Sequence, residues 1–297
     1  MNNLNKSIMK SQYFNTKEEN TWCPGCPNFG ILQSVKMALA ELVGENKIKA
    51  KDIVMASGIG CHAKIFDYIN INGFYSLHGR VLPPCLGMKA ANPELTVIGF
   101  GGDGDTYAEG ISHFIHNCRY NADLTMIVHN NKVFALTTGQ PTPTSEQGFA
   151  GRSVPQGIKE KPFNPIAAAI INGATFVARG YALDVNHLKG IIKEAIGHKG
   201  FSLVDILQPC ITFHDFTDYV KKRIYKLGKN HNSGDFNKAM DKALEWDYSG
   251  DETASIPIGI FYKTKRPTFC EQWPNLGKPW YKLKRKINSS ETIKEFR

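Results

Sequence analysis

Leu95-Thr96-Val97-Ile98-Gly99-Phe100 runs directly into Gly101-Gly102-Asp103-Gly104-Asp105, and a helical pattern over Tyr107 to Cys118 follows. A short apolar run bounded by glycines reads as a strand buried on both faces, and the loop reads as its turn into a helix. The same alternation extends outward in both directions. Ile53-Val54-Met55-Ala56, Leu124-Thr125-Met126-Ile127-Val128, Thr175-Phe176-Val177-Ala178 and Ser202-Leu203-Val204-Asp205-Ile206 read as further strands. Helical spacing of Ile31, Val35, Leu39 and Leu42 predicts a helix over Phe29 to Val43 capped by Asn28. A second helix covers Asp184 to Gly197, and Asn164-Pro165-Ile166 opens another. The simplest architecture is α/β: an open, doubly wound, mostly parallel sheet from about residue 20 to about residue 213, with chemistry at the carboxyl ends of its strands. Beyond Phe213 the alternation stops. The chain then divides into an N-terminal arm (1–19), a sheet domain (20–215) and an extended basic tail (216–297) expected to pack on a partner.

With 297 residues, 42% of them hydrophobic, the chain has enough apolar surface for a sizeable core. No apolar run approaches the ~20 residues of a bilayer span, and Met1 to Asn20 lacks the apolar stretch of a signal peptide, so a cytoplasmic protein without membrane contact is expected. Seven cysteines, an odd number, suit a reducing compartment with metal-ligating or free thiols better than a disulfide framework. The net charge of +9 is concentrated at the end: residues 216 to 297 hold 17 Lys and Arg against 10 Asp and Glu, a net of +7. Lys221-Lys222-Arg223 and Lys282-Leu283-Lys284-Arg285-Lys286 are not organised by any helix-turn-helix, zinc-finger or RNA-recognition pattern. A solvated face or a dock for an acidic protein fits them better than nucleic acid.

Two sets of residues carry chemistry. Cys23 and Cys26, in Trp22-Cys23-Pro24-Gly25-Cys26-Pro27, present two thiols from a single turn, and Cys61 and Cys210 each follow an apolar strand-like run. Four such thiolates hold an iron–sulfur cluster or zinc, and the spacing alone does not choose between them. The second set is the Gly102-Asp103-Gly104-Asp105 loop, where glycines admit phosphate oxygens and a strand-end carboxylate binds Mg²⁺. His129-Asn130-Asn131-Lys132-Val133 ends the next strand, 28 positions beyond Asp103 at Asn131. Strand, Gly-Asp-Gly, helix, strand and Asn-Asn in this order resembles the thiamine diphosphate signature. There the side chains matching Asp103 and Asn131, with the backbone oxygen matching Val133, hold Mg²⁺.

Together the motifs resemble the β subunit of the two-subunit archaeal and bacterial 2-oxoacid:ferredoxin oxidoreductases. They are Cys23-Pro24-Gly25-Cys26, Gly58-Ile59-Gly60-Cys61, Leu77-His78-Gly79-Arg80, Gly102-Asp103-Gly104-Asp105, His113-Phe114-Ile115-His116 and Leu136-Thr137-Thr138-Gly139-Gln140, in that family's order. The resemblance implies a thiamine diphosphate-binding domain over residues 20–215. It implies one [4Fe-4S] cluster on Cys23, Cys26, Cys61 and Cys210, and Mg²⁺–thiamine diphosphate at Asp103, Asn131 and Val133. His62, Gly102, Gly104, Asp105, Leu136 and Thr137 are implied to line the cofactor, and His78 and Arg80 to act near the substrate.

The glutamate that activates thiamine is implied to sit on a partner α subunit, since no Glu here is a convincing substitute. The implied whole is an αβ or (αβ)₂ enzyme converting a 2-oxoacid, coenzyme A and oxidised ferredoxin to acyl-coenzyme A, CO₂ and reduced ferredoxin. One departure stands out: many relatives read Tyr-Gly-Leu-Thr-Lys-Gly-Gln where this chain has Phe134-Ala135-Leu136-Thr137-Thr138-Gly139-Gln140, so a lysine is replaced by Thr138. Two other readings stay open, a thiamine-dependent decarboxylase or synthase without redox function and a zinc-stabilised basic protein that binds nucleic acid.

Overall fold

The apolar runs become the strands of one sheet in a computed structural model that describes residues 11–228, 230–283 and 289–294. In chain order the strands are β1 (Ile53–Ser57), β2 (Asn72–Tyr75), β3 (Thr96–Gly102), β4 (Leu124–Asn130), β5 (Val133–Phe134), β6 (Gln140–Pro141), β7 (Phe176–Tyr181), β8 (Phe201–Leu207), β9 (Ile224–Lys226) and β10 (Ile256–Lys263). Eight of them form a sheet in the order β2-β1-β3-β4-β8-β7-β10-β9, while β5 and β6 make a separate hairpin. From β2 to β7 every neighbouring pair is parallel. β10 runs antiparallel to β7 and parallel to β9.

The main helices are α1 (Asn28–Gly44), α2 (Leu82–Ala91), α3 (Ile111–Tyr120), α4 (Pro165–Ile171), α5 (Val185–Gly197), α6 (Thr217–Arg223) and α7 (Phe236–Leu244). Alternate residues of each central strand feed opposite cores. Ile98, Phe100, Ile127 and Val204 face Ile31, Val35 and Leu39 of α1 and Leu188 and Ile192 of α5. Val97, Met126, Val128 and Leu203 join Leu82 and Cys85 of α2, Phe114 of α3, Ile166 of α4 and Ala239 and Ala243 of α7. Each large aliphatic or aromatic side chain so buried contributes about 1.5–3 kcal/mol. This two-sided burial is why the strands read as continuous apolar runs.

Asn164 caps α4 as expected, accepting from the Ala167 amide, and Asp184 caps α5 by accepting from the His187 amide. Asn28 does not cap α1. Pro27 takes that place, and the Asn28 side chain lies buried with Oδ1 2.8 Å from His129 Nδ1. The single helix expected over Tyr107 to Cys118 is split into a π-helical turn, Asp105–Glu109, and α3.

The tail is the main correction. Residues 216–263 are part of the sheet domain, since β9 and β10 extend the sheet and Trp246, Tyr248, Ile256 and Ile258 fill a third core with Tyr181, Leu207, Phe216 and Val220. Pro257 and Gly259 inside β10 are residues that argue against a strand in sequence. They are accommodated beside the sheet edge, where β10 carries an irregularity between Ile260 and Tyr262. From Thr264 to Leu283 the chain runs in loops and single turns. Lys284-Arg285-Lys286 of the basic run, and residues 1–10 of the N-terminal arm, lie outside the described residues. No helix among the described residues is long and apolar enough to cross a membrane.

Candidate active site

Asp103 follows the last residue of β3 and is almost completely buried. Its Oδ2 accepts hydrogen bonds from Thr142 Oγ1 at 2.5 Å and Thr144 Oγ1 at 2.7 Å, leaving Oδ1 as the oxygen available to a cation. Burial pushes the carboxyl up to about 6 despite those two donors. Gly104 is required beside it, because a Cβ there would stand 2.2 Å from the Phe134 ring. Asp105 organises the neighbouring loops: its Oδ1 accepts from Gly79 N at 2.7 Å and from Ile59 N at 3.4 Å. A Cβ on Gly58 would lie 2.0 Å from the same carboxylate, so this loop closes only around glycine. Asp105 Oδ2 has no hydrogen-bond partner and faces His62 Nε2, likewise unpartnered, at 3.7 Å. Burial holds His62 neutral, well below the ordinary histidine range.

At the end of β4, Asn131 Oδ1 accepts from Val133 N at 3.1 Å, a turn made possible by Lys132 at φ +62°. The β5–β6 hairpin then folds Leu136 and Thr137 over the Asp103 loop. The result is a cleft bounded by Cys61, His62 and His78 on one side, Gly102, Asp103, Gly104 and Asp105 at the base, and Asn131, Val133, Leu136 and Thr137 opposite. His78 Nδ1 lies 3.4 Å from Glu109 Oε2. Arg80 does not line this cleft, since its guanidinium donates to the carbonyls of Glu109 at 2.8 Å and Gly79 at 3.1 Å. A buried carboxylate with one free oxygen, an adjacent carboxamide and glycines at the strand end together fit Mg²⁺ and a diphosphate.

The cysteines converge beside this cleft. Cys26 N donates to Cys23 O at 3.0 Å to close the first turn. Trp22 Nε1 donates to Cys61 O at 2.6 Å, fastening that turn to the one after β1. Cys210 follows β8 in a loop closed by Cys210 N to His214 O at 3.1 Å and His214 N to Cys210 O at 2.9 Å. Thr212 Oγ1 lies 3.8 Å from Cys23 Sγ, and Gln208 Nε2 lies 3.8 Å from Cys26 Sγ. Burial pushes the Cys26 thiol up to about 11, and the nearby Cys210, Cys23 and Cys61 add to the rise. Such a site disfavours four bare thiolates, so a bound metal centre is what would make them ligands. Among the described residues no three His, Cys, Asp or Glu side chains close on a single-ion position. Cys85, Cys118 and Cys270 are buried elsewhere.

Two family models match the chain in succession. Residues 58–206 match the thiamine pyrophosphate enzyme C-terminal TPP-binding domain, and residues 210–278 match the C-terminal part of the pyruvate ferredoxin oxidoreductase β subunit. The 2-oxoacid:ferredoxin oxidoreductase subunit beta of Saccharolobus solfataricus is 46% identical over 86% of this chain and 85% of its own length. The chain belongs to the 2-oxoacid:ferredoxin oxidoreductase β-subunit family. The 2-oxoglutarate synthase subunit KorB of Archaeoglobus fulgidus is 36% identical over 84% of this chain and 87% of its own. A solved structure of 2-oxoglutarate:ferredoxin oxidoreductase from Magnetococcus marinus, with 2-oxoglutarate, coenzyme A and succinyl-CoA bound, superposes with a TM-score of 0.87 at 30% identity, covering 97% of this chain and 96% of that one. This β subunit is thus part of an enzyme of the oxidoreductase class. The non-redox thiamine enzyme and the basic nucleic-acid binder give way to it.

Several residues of the site escaped the reading of the β-subunit sequence. Thr142 and Thr144 reach Asp103 from 39 and 41 positions away, and nothing but the hydroxyls of Pro141-Thr142-Pro143-Thr144-Ser145 announces them. Lys132 Nζ lies 3.2 Å from Glu146 Oε2, whose carboxylate also meets His214 Nε2 at 3.1 Å. Burial raises the Glu146 pKa, but the His214 hydrogen bond and the Lys132 charge outweigh it and bring it to about 2. Behind them Asp205, buried in β8, accepts from Tyr107 at 2.7 Å, Tyr248 at 2.9 Å and Asn130 at 3.1 Å.

Proposed function

We propose that this β subunit, with an α subunit, carries out the oxidative decarboxylation of a 2-oxoacid with coenzyme A. The products are acyl-coenzyme A and CO₂, and the electrons leave one at a time through a [4Fe-4S] cluster to ferredoxin in the cytoplasm. The observation that carries this reading is Cys61, which lines the cleft and also stands within electrostatic reach of Cys210, Cys23 and Cys26. A thiamine site and an electron acceptor sharing one residue make a short path for electrons. When bound, thiamine diphosphate supplies the carbanion chemistry and the cluster the one-electron acceptor.

The chain's own residues bind and orient. Asp103 and Asn131, with the Val133 carbonyl, would hold Mg²⁺, and the glycines of the loop would admit the diphosphate. Cys23, Cys26, Cys61 and Cys210 would hold the cluster. Leu136 and Thr137 line one wall of the cleft, and His78, partly exposed in its lining, would meet substrate. Arg80 would act only indirectly, through the loop it braces. The bound 2-oxoglutarate and coenzyme A of the Magnetococcus marinus enzyme support a 2-oxoacid and coenzyme A as substrates here. The segment after Lys263, which exposes Trp273 and Tyr281, would pack on the α subunit.

The test is anaerobic co-expression with the α subunit, then iron and sulfide analysis and viologen reduction across a panel of 2-oxoacids with coenzyme A. The expected result is a brown protein and reduction that requires coenzyme A, thiamine diphosphate and one class of 2-oxoacid. No reduction with any member of the panel sinks the proposal.

A further inference from the structure

The turn from Thr142 to Glu146 touches both halves of the site. Thr142 and Thr144 hold Asp103, and Ser145 Oγ donates to the Lys132 carbonyl at 2.5 Å, between Asn131 and Val133. These three contacts fasten the loops that would carry Mg²⁺. Glu146, the next residue, reaches the other way. Its carboxylate lies 3.0 Å (Oε1) and 3.1 Å (Oε2) from His214 Nε2 while keeping Lys132 Nζ at 3.2 Å. His214 closes the Cys210 loop through two backbone hydrogen bonds and packs its ring against Phe149 at 4.6 Å and Phe216 at 5.2 Å. A continuous run of contacts therefore joins Asp103 to Cys210 through five consecutive residues.

This is a costly way to hold a loop. Lys132 sits at φ +62°, in the left-handed region that a lysine rarely adopts, and its side chain is only 3% exposed. It is held by Glu146, by the Tyr248 carbonyl at 2.8 Å and by the ring of Trp246 at 5.2 Å. A buried ion pair is weak evidence for net stability, and this one, which also engages His214 and the Tyr248 carbonyl, fixes the orientation of the loops it joins.

We propose that the Thr142–Glu146 turn couples the cluster site to the thiamine diphosphate site, with Glu146 the positioning residue that fixes the Cys210 loop against the Asn131–Val133 loop. The inference rests on the assignment of the two cofactors above. Coupling is reciprocal: if the oxidation state of the cluster alters the set of the Cys210 loop, it alters the affinity for Mg²⁺–thiamine diphosphate by the same factor that the cofactor alters the redox equilibrium.

The experiment uses the αβ complex, stripped of thiamine diphosphate and kept anaerobic. Mg²⁺–thiamine diphosphate is titrated by calorimetry with the cluster oxidised and again with it reduced. Wild type is expected to show affinities differing at least ~5-fold between the two states, the lower end of typical couplings. Glu146→Gln and, from the opposite side, His214→Asn are each expected to bring the ratio within about twofold. Direct Coulombic coupling between the two cofactors would survive His214→Asn, so a ratio retained in that variant overturns the inference. So does a wild-type ratio near one in protein that contains iron and sulfide. Should the variants lose the cluster, an accompanying loss of cofactor affinity supports the clamp and an unchanged affinity overturns it. Wild-type complex without iron and sulfide overturns the cluster assignment itself, a distinct failure.

Discussion

Asp103 sets burial against charge, and two threonine hydroxyls settle only part of the conflict. A divalent cation on its free oxygen would remove the rest of the penalty. Thr144 is the informative residue to change, because its Oγ1 meets Asp103 at 2.7 Å and lies 2.9 Å from Asn130 Oδ1. Thr144→Val keeps the volume and removes the hydroxyl from between two buried oxygens. Stability is expected to fall by about 1–3 kcal/mol in urea unfolding, and the affinity for Mg²⁺–thiamine diphosphate to weaken about tenfold. A variant with the wild-type midpoint and affinity would show that the hydroxyl contributes nothing. That Asp103 and Asn131 would meet at one cleft, and the four cysteines beside it, was legible in sequence because all six stand at strand ends and tight turns in recognisable motifs. Thr142, Thr144, Glu146 and His214 were not, since a hydroxyl or a carboxylate in a loop is ordinary until folding brings its partner within 3 Å.

Helix α1 begins immediately after the Cys23–Cys26 turn, so whatever holds α1 also sets two of the four thiols. Glu41 pins it to α5 through Lys189 at 2.7 Å and Lys193 at 2.9 Å. Burial raises the Glu41 pKa, but hydrogen bonds from both lysines and their charges outweigh it and bring it to about 2. A carboxyl held below its unfolded value contributes stability that is complete above about 4.5 and is lost as pH falls through about 2. Glu41→Gln is therefore expected to lower the unfolding free energy by about 1 kcal/mol at neutral pH, after discount for partial exposure. In urea unfolding at a series of pH values that difference should shrink steadily below about 4.5. A difference independent of pH would place the effect in packing. The central strands were legible because two-sided burial demands unbroken apolar residues. β2 was not, being an edge strand with all four residues exposed, and β10 was hidden by Pro257 and Gly259.

At the scale of the molecule both proposed cofactor sites lie at the carboxyl ends of β1, β3, β4 and β8, while residues 264–283 lie outside the sheet. That last stretch was expected to face a partner from its composition, and the boundary now moves from residue 216 to the end of β10. Trp273 and Tyr281 there are 57% and 74% exposed, in a segment rich in Lys and Arg. Exposed aromatic residues on a basic surface are the groups that become binding anchors when a partner desolvates them. The double variant Trp273→Ser/Tyr281→Ser is expected to leave the unfolding midpoint of the β subunit unchanged, since exposed substitutions away from structural features cost within about 0.5 kcal/mol. Its affinity for the α subunit should fall at least ~30-fold, the effect of losing about 2 kcal/mol of anchor contacts. Sedimentation of the mixed subunits measures the affinity, and thermal unfolding of the β subunit alone measures the control. Wild-type association by the double variant would remove this segment from the interface and leave its aromatic residues as ordinary exposed surface.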